Sequence, residues 1–469
     1  MIIEQIYTGC LAQGAYYIES KGEVAIIDPL RETHPYLAKA EKDNASIKYI
    51  FETHFHADFV SGHLDLARKS GATIVYGPGA KTSYDIHEAK DNEVFALGDI
   101  KIKVLHTPGH TPESSTYLLI DENGKEHAIF SGDTLFIGDV GRPDLAVKSD
   151  LSKEDLAEML FDSLRNKIMT LPDDVIVYPA HGAGSACGKN MSKETTDLLG
   201  NQKKVNYALR PDMTKEEFVK EVTDGILPPP QYFAKNAMLN KTGADSLDDV
   251  MATGNIALDV DTFEAMANHE GALVLDTRNE TNFVQGFVPN SIFIGVDGSF
   301  APWVGALIAD LKQPIILVTD EGREEEVITR LSRVGYDNTL GYLKGGIAAW
   351  KAAGKEIDTV TSVGTDVLKG KLETETINVL DVRKPGEYLA EHIEKAKNTP
   401  LDFINTEMNR IDKNTEYYIH CAGGYRSVIF SSILKSRGFD KVINVAGGFD
   451  AIVKEGIPVT DFVCPSTLN

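Results

Sequence analysis

The stretch Tyr49-Ile50-Phe51-Glu52-Thr53-His54-Phe55-His56-Ala57-Asp58-Phe59 decides the reading of the first half of the chain. Its first five residues are rich in aromatic and β-branched side chains and predict a strand over 49–53. Two histidines and an aspartate follow at once, at the carboxyl end of that strand, where side chains project from a sheet edge. Working outward, the arrangement recurs. His110 closes Thr107-Pro108-Gly109-His110 after a strand pattern at 100–106, and Asp133 lies in Ser131-Gly132-Asp133-Thr134 after one at 128–131. His181 lies in Pro179-Ala180-His181-Gly182 after one at 175–178, and further strand patterns stand at 24–27 and 73–76. One histidine after a strand is more often structural than ligating. Imidazoles and carboxylates borne together on successive turns make a metal-ligand set.

This order of turn-borne residues resembles the metallo-β-lactamase superfamily over about residues 1–190, which implies an αββα sandwich with the metal between two sheets. Hydrolases of that superfamily such as glyoxalase II carry HxHxDH, whose Asp and last His help hold a second metal. Here the last position is Phe59. A hydrocarbon ring has no lone pair, so a binuclear hydrolytic centre loses a ligand. The remainder suits a single non-haem iron(II) held by two imidazoles and a carboxylate, with open positions for substrate and oxygen.

The pattern also resembles a narrower family, the persulfide dioxygenases, and that resemblance implies Fe(2+), one per chain, on His54, His110 and Asp133. Spacing alone does not choose His54 over His56. His56, Asp58 and His181 then orient ligands and water. Arg142, in Gly141-Arg142-Pro143-Asp144-Leu145, is implied to meet an anionic thiol carrier, with a surface ion pair as the alternative. Tyr178 is implied to hydrogen-bond near the iron, or is a core tyrosine. Cys187, in Gly184-Ser185-Ala186-Cys187-Gly188-Lys189, assists persulfide delivery or is a small packed residue.

Residues 192–254 form a segment with a helical pattern over 215–223 and the run Pro228-Pro229-Pro230, which cannot be helix interior and reads as an ordered arm or linker. Beyond it the chain repeats with a period of about one domain. Val274-Leu275-Asp276-Thr277-Arg278 recurs as Val379-Leu380-Asp381-Val382-Arg383, and Leu343-Lys344-Gly345-Gly346 as Val445-Ala446-Gly447-Gly448. Buried apolar strands alternating with amphipathic helices, as over 325–334 and 427–437, predict parallel sheets. The limits expected are 1–254, 255–358 and 359–469.

In the second copy the strand runs into His420-Cys421-Ala422-Gly423-Gly424-Tyr425-Arg426-Ser427. Two glycines let backbone N–H groups converge on a sulfur at a helix N-terminus, which favours a thiolate and a bound sulfur oxyanion. The loop resembles that of rhodanese sulfurtransferases, with Asp381 and Arg383 upstream and Gly447-Gly448-Phe449 closing the domain. This implies Cys421 and Arg426 as catalytic, with Ala422, Gly423, Gly424 and Tyr425 cradling the substrate. Related phosphatases use the longer C-x5-R loop. The first copy reads Thr319-Asp320-Glu321-Gly322-Arg323-Glu324 in that place, without a cysteine, and is expected to be a catalytically silent spacer or docking module. The fold class expected is α/β multidomain: the sandwich, then two rhodanese-like domains.

Composition bounds the partners. Forty-seven basic residues against 70 acidic ones give a net charge of −23, which disfavours nucleic acid and anionic membrane surfaces. Four cysteines, Cys10, Cys187, Cys421 and Cys464, are too dispersed for a disulfide scaffold. No run of about 20 apolar residues occurs and no basic-then-apolar leader opens the chain, so a cytoplasmic, unexported protein is expected. The resemblance implies a homo-oligomer, dimer or tetramer, and small-molecule partners: thiol persulfide, O2, sulfite and thiosulfate. The rival expectations are a glyoxalase II-like thioester hydrolase fused to a sulfurtransferase, and a sulfur-relay protein in which the metal is structural.

Overall fold

The computed structural model describes residues 1–147, 151–189, 191–269 and 271–464; the end of the expected limit 359–469 lies outside them. Contacts divide the chain into two compact units, the first ending at Leu247 and the second starting at Asp248, with Ser332–Gly335 grouped with the first.

Period-two alternation builds the first unit. Along Gln13–Ser20 and Glu23–Ile27, Tyr16, Ile18, Ala25 and Ile27 pack against a second sheet through Ile102, Val104, Tyr117 and Leu119. Their neighbours Ala15, Tyr17, Val24 and Ile26 face the other way, onto Tyr36, Ala40 and Leu66 of the helices His34–Lys42 and His63–Ser70. The second sheet turns Leu118, Ile129 and Val177 outward onto Leu160, Phe218 and Val222 of the helices Lys153–Ser163 and Lys215–Thr223. Helix, sheet, sheet, helix is the αββα sandwich that was expected. Each sheet has six strands. The first mixes antiparallel pairs at Ile2–Thr8, Gln13–Ser20 and Glu23–Ile27 with parallel ones at Ser46–Glu52 and Thr73–Tyr76. In the second, Glu126–Gly132 and Ile176–Pro179 are parallel neighbours, so the turns after both open at the same sheet edge.

Lys215–Thr223 begins where the sequence predicts. Thr214 accepts from the Glu217 N–H and Glu217 returns the bond, a capping box, while Phe218 and Val222, four apart, bury on one face. Phe218→Ala would cost about 3–5 kcal/mol of packing. The rest of the 192–254 segment holds more helix than its sequence advertises: Leu199–Val205, Phe233–Thr242 and Leu247–Gly254. Phe233–Thr242 buries Phe233, Asn236 and Asn240 along one stripe, and polar residues in such a stripe erase the hydrophobic period that would reveal it.

The second unit contains two five-stranded, all-parallel sheets with one topology. Ile315–Val318 is buried throughout, as a strand covered on both faces must be. Asp276 lies opposite Val318 in the first sheet and Asp381 opposite His420 in the second, so Thr319 and Cys421 occupy equivalent positions just past their strands. The helix Tyr425–Ser436 is buried from Ser427 to Leu434, with small serines where two surfaces close on it.

Candidate metal centre and cysteine loop

At the carboxyl edge of Ser46–Glu52 the chain leaves the sheet at Thr53 and delivers His54 into a buried space. The Thr53 hydroxyl donates to Asp28 Oδ2 at 2.8 Å, so its oxygen accepts the Nδ1 hydrogen of His54 at 3.0 Å. His110 Nδ1 donates to the Arg142 carbonyl at 2.8 Å, and His181 Nδ1 to the Ala12 carbonyl at 3.3 Å. In all three rings the outer partner fixes the tautomer and leaves the Nε2 lone pair facing inward, the arrangement of metal-ligating imidazoles. They face Asp133. Its Oδ2 is 3.4 Å from His110 Nε2 and 3.8 Å from His54 Nε2, and its Oδ1 is 3.6 Å from His181 Nε2.

Among the described residues neither Asp133 oxygen has a hydrogen-bond partner, nor does His181 Nε2, and all are buried. A buried carboxylate so left is costly unless a cation fills the space. Burial, with the charges of neighbouring histidines, holds His54 well below the ordinary imidazole range, so it stands as a neutral donor. One donor atom from each of His54, His110 and Asp133 lies within 4.8 Å of the others, and a like group forms from His56, Asp58 and His181. The donor set fits a divalent transition metal. Close backbone approach builds the cradle: a Cβ on Gly132 would stand 2.6 Å from the Thr53 side chain, and one on Gly141 would overlap the Asp133 carbonyl.

His56 directs one ring nitrogen at two carboxylates. Its Nε2 lies 3.0 Å from Asp28 Oδ1 and 3.5 Å from Glu52 Oε2. Burial alone would depress this imidazole, but Asp28 and then Glu52 hold it up at about 9. Asp58 reaches His181 Nε2 at 3.3 Å.

Arg142 is buried rather than at the surface. Its guanidinium grips both oxygens of Asp144 at 2.7 and 2.8 Å and the carbonyls of Leu227 and Ala186 at 2.6 and 3.2 Å. Tyr178 stacks on Phe130 at 5.3 Å and meets Tyr16 edge-on, half-buried at the end of the sandwich core. Cys187 is buried, its sulfur within 4.8 Å of a ligand atom of Asp133 and one of His181, and its thiol is pushed well above the ordinary range by burial, then by Asp58 and Asp133.

Sequence reasoning missed Asp28, Glu52 and above all Asn240. The Asn240 amide, from the helix Phe233–Thr242, donates to the carbonyls of His56 and Phe59 at 2.7 Å each and accepts from the Ser61 N–H at 2.8 Å. It clasps the backbone of the histidine loop from 179 to 184 residues away, and no local signal marks it. Asp28 had one: it follows the strand pattern at 24–27, as His54, His110 and Asp133 follow theirs; in the structure it adopts φ 49°, rare outside glycine.

In the last domain Cys421 is buried, and the Gly424 N–H donates to its sulfur at 3.1 Å. Gly424 has φ 113°, open only to glycine. The Gly447-Gly448-Phe449 turn clamps the loop from behind: Phe449 N–H donates to the Cys421 carbonyl at 2.7 Å and Asp450 N–H to Ala422 at 3.2 Å. Arg383 pairs with Asp381 and lies 3.7 Å over the Phe449 ring. Arg426 is held by both oxygens of Glu387, at 2.7 and 2.8 Å. Gly423 has open space around its Cα, and the Tyr425 hydroxyl donates to the Gly295 carbonyl at 2.7 Å. In the first copy the Asp276–Arg278 pair is retained, and Thr319 stands where Cys421 does, its buried hydroxyl without a hydrogen-bond partner among the described residues.

The profile of the metallo-β-lactamase superfamily matches residues 8–181, and that of the rhodanese-like domain matches residues 259–353 and 365–455. The human mitochondrial persulfide dioxygenase ETHE1 is 31% identical over 213 residues, 45% of this chain and 74% of the relative. A probable hydroxyacylglutathione hydrolase of Schizosaccharomyces pombe, glo2, is 33% identical over 160 residues, 34% of this chain; the chain spans only 58% of that relative's length. Among solved structures, a metallo-β-lactamase from Staphylococcus aureus superposes with a TM-score of 0.64 at 31% identity, covering 73% of this chain and 98% of that one.

Proposed function

Because the chain belongs to the metallo-β-lactamase superfamily and carries two rhodanese-like domains, we propose that it oxidises low-molecular-weight thiol persulfides and passes their sulfane sulfur to sulfite. The observation that carries this reading is Phe59. The ring fills the last place of the HxHxDH pattern, fully buried, and offers no ligand for a second metal. His54, His110 and Asp133 would then hold one iron(II), which when bound supplies the oxygen chemistry.

The chain's own residues do the rest. Thr53, with Asp28 behind it, and the Arg142 carbonyl orient His54 and His110. His56, Asp58 and His181 order water beside the reacting sulfur, and Arg142, Tyr178 and Cys187 surround the thiol carrier. The balance is RSSH + O2 + H2O → RSH + sulfite + 2H+. In the last domain the Cys421 thiolate attacks the outer sulfur of a second persulfide, releasing RS− and leaving a cysteine persulfide. Sulfite then takes that sulfur as thiosulfate and restores the thiolate. The loop amides, of which Gly424 N–H already reaches the sulfur, together with Arg426 steady the oxyanion. The protein acts in the cytoplasm as a homo-oligomer. No helix among the described residues is long and apolar enough to cross a membrane.

The test is oxygen uptake by iron-loaded protein with a panel of thiol persulfides, following sulfite and thiosulfate in wild type and Cys421→Ser. Sulfite without thiosulfate in the variant is expected; unchanged thiosulfate overturns the role of Cys421. A second reading, a thioester hydrolase, draws on the group formed by His56, Asp58 and His181. About two zincs per chain with thioester cleavage and no persulfide-dependent oxygen uptake would establish it instead.

A further inference from the structure

The silent copy of the repeat is packed onto the working one at a particular residue. Tyr425 is the first residue of the helix that follows the cysteine loop, directly after Gly424, whose N–H reaches the Cys421 sulfur. Its side chain leaves its own domain and enters the turn Gly295–Gly298 of the preceding one. The hydroxyl donates to the Gly295 carbonyl at 2.7 Å and the ring meets Phe293 edge-on at 5.7 Å. The fit needs two glycines. A Cβ on Gly298 would overlap the ring and stand 2.7 Å from Tyr425 Oη; one on Gly295 would stand 3.2 Å from its Cε2. One face of the same helix is tied down as well, by the Phe293 N–H donating to Ser432 Oγ at 2.9 Å.

The receiving turn is braced by what the first copy has in place of a cysteine loop. Counting from Thr319 at the Cys421 position, Arg323 takes the place of Tyr425. Its guanidinium reaches Asp297, inside the turn, at 2.8 Å, and Glu326 at 2.8 Å. Arg330 donates to the Val296 carbonyl at 2.6 Å.

We propose that the cysteine-less domain is a positioning module for the Cys421 loop: its Gly295–Gly298 turn, held by Arg323 and Arg330, receives Tyr425 and fixes the backbone that turns the Gly424 N–H onto the sulfur. The residues that replaced its own cysteine loop serve this grip. Tyr425 and Gly298 are thus positioning residues, acting on the thiol through the backbone. The assignment rests on reading Cys421 as the sulfur-carrying thiol, but its first readout does not require sulfur transfer.

The experiment uses the full chain and measures alkylation of Cys421 by iodoacetamide against pH, resolved by peptide mass spectrometry from the other three cysteines. Gly298→Ala and Tyr425→Phe should each raise the pH midpoint of Cys421 alkylation and slow thiosulfate-forming sulfur transfer, Gly298→Ala by about tenfold or more because a misplaced reacting group loses its alignment. Arg323→Gln, remote from the thiol, should act in the same direction by about twofold, as an exposed ion pair would. Gly298→Ala combined with Tyr425→Ala should be no worse than Tyr425→Ala alone, since the clash is then gone. An alkylation profile unchanged in Tyr425→Phe and Arg323→Gln overturns the proposal even if Gly298→Ala fails to fold. Wild type without sulfur transfer but with shifted profiles in the variants overturns the function proposed above and leaves the positioning role standing.

Discussion

The ring of Phe59 lies over the imidazole of His56, centroids 4.4 Å apart and planes inclined by 34°. It thereby joins the position where a ligand is missing to the histidine whose Nε2 faces Asp28 and Glu52. An apolar ring on one side and two carboxylates on the other hold the His56 imidazole in place.

Phe59→His should undo this. With an imidazole in that place, metal content measured by mass spectrometry after loading should rise from about one to about two per chain. Persulfide-dependent oxygen uptake should fall at the same time. A variant that still binds one metal would show that Phe59 does not set the stoichiometry.

Asn240→Ala removes three hydrogen bonds to the histidine loop and leaves the carbonyls of His56 and Phe59 and the Ser61 N–H buried without them. Metal affinity, measured by chelator competition, should weaken by about 10- to 100-fold, the usual effect of losing an outer partner of a metal site. Urea unfolding of the metal-free variant should show a loss of about 1–3 kcal/mol. Unchanged affinity would leave Asn240 a packing residue.

His63 gives a pH dependence with a definite sign. Burial, with the positive charges of His56 and Arg31 nearby, pushes it down to about 3, against an ordinary value of 6.5. The unfolded chain therefore takes up a proton that the folded one refuses throughout this window. Its contribution is complete above pH 6.5 and is lost as pH falls toward 3, by at most about 1.4 kcal/mol per pH unit. Urea unfolding between pH 5 and 8 should be less steep in pH for His63→Gln than for wild type.

Glu387→Gln tests whether Arg426 is free to meet an anion. Burial alone would raise the Glu387 carboxyl, but Arg426 overrides this and holds it below the ordinary range. While ionised, Glu387 competes with sulfite for the guanidinium. The neutral amide should lower the KM for sulfite in thiosulfate formation by about threefold or more. A KM that rises would assign Glu387 to holding Arg426 in place.

Much of this protein is local, and so was legible in the chain. The strands at 73–76 and 100–106 and the helix at 215–223 coincide with the observed Thr73–Tyr76, Ile100–His106 and Lys215–Thr223, because alternation and capping are written within a few residues. The helix expected from 427 begins two residues earlier, at Tyr425, since the glycine turn rather than the hydrophobic period sets its start. The repeat and the two parallel sheets followed from patterns that the fold must reuse, whereas the αββα sandwich was implied only by the resemblance of the His and Asp turns to the metallo-β-lactamase superfamily. Residue chemistry likewise announced a metal-ligand set and one cysteine loop out of two.

The sequence by itself determined which groups could do chemistry: the histidines and aspartates on their turns, the phenyl ring at position 59, and a single cysteine at a helix start. Only the tertiary structure decided what each of them faces. It turned His54 and His110 toward Asp133 and His56 toward Asp28, and it brought Asn240 back onto the histidine loop and Tyr425 into the Gly295–Gly298 turn. Those choices are made by side-chain direction and by contacts between residues far apart in the chain. Neither periodicity nor spacing carries that information, because both describe a residue's neighbours along the backbone and not its neighbours across the packed interior.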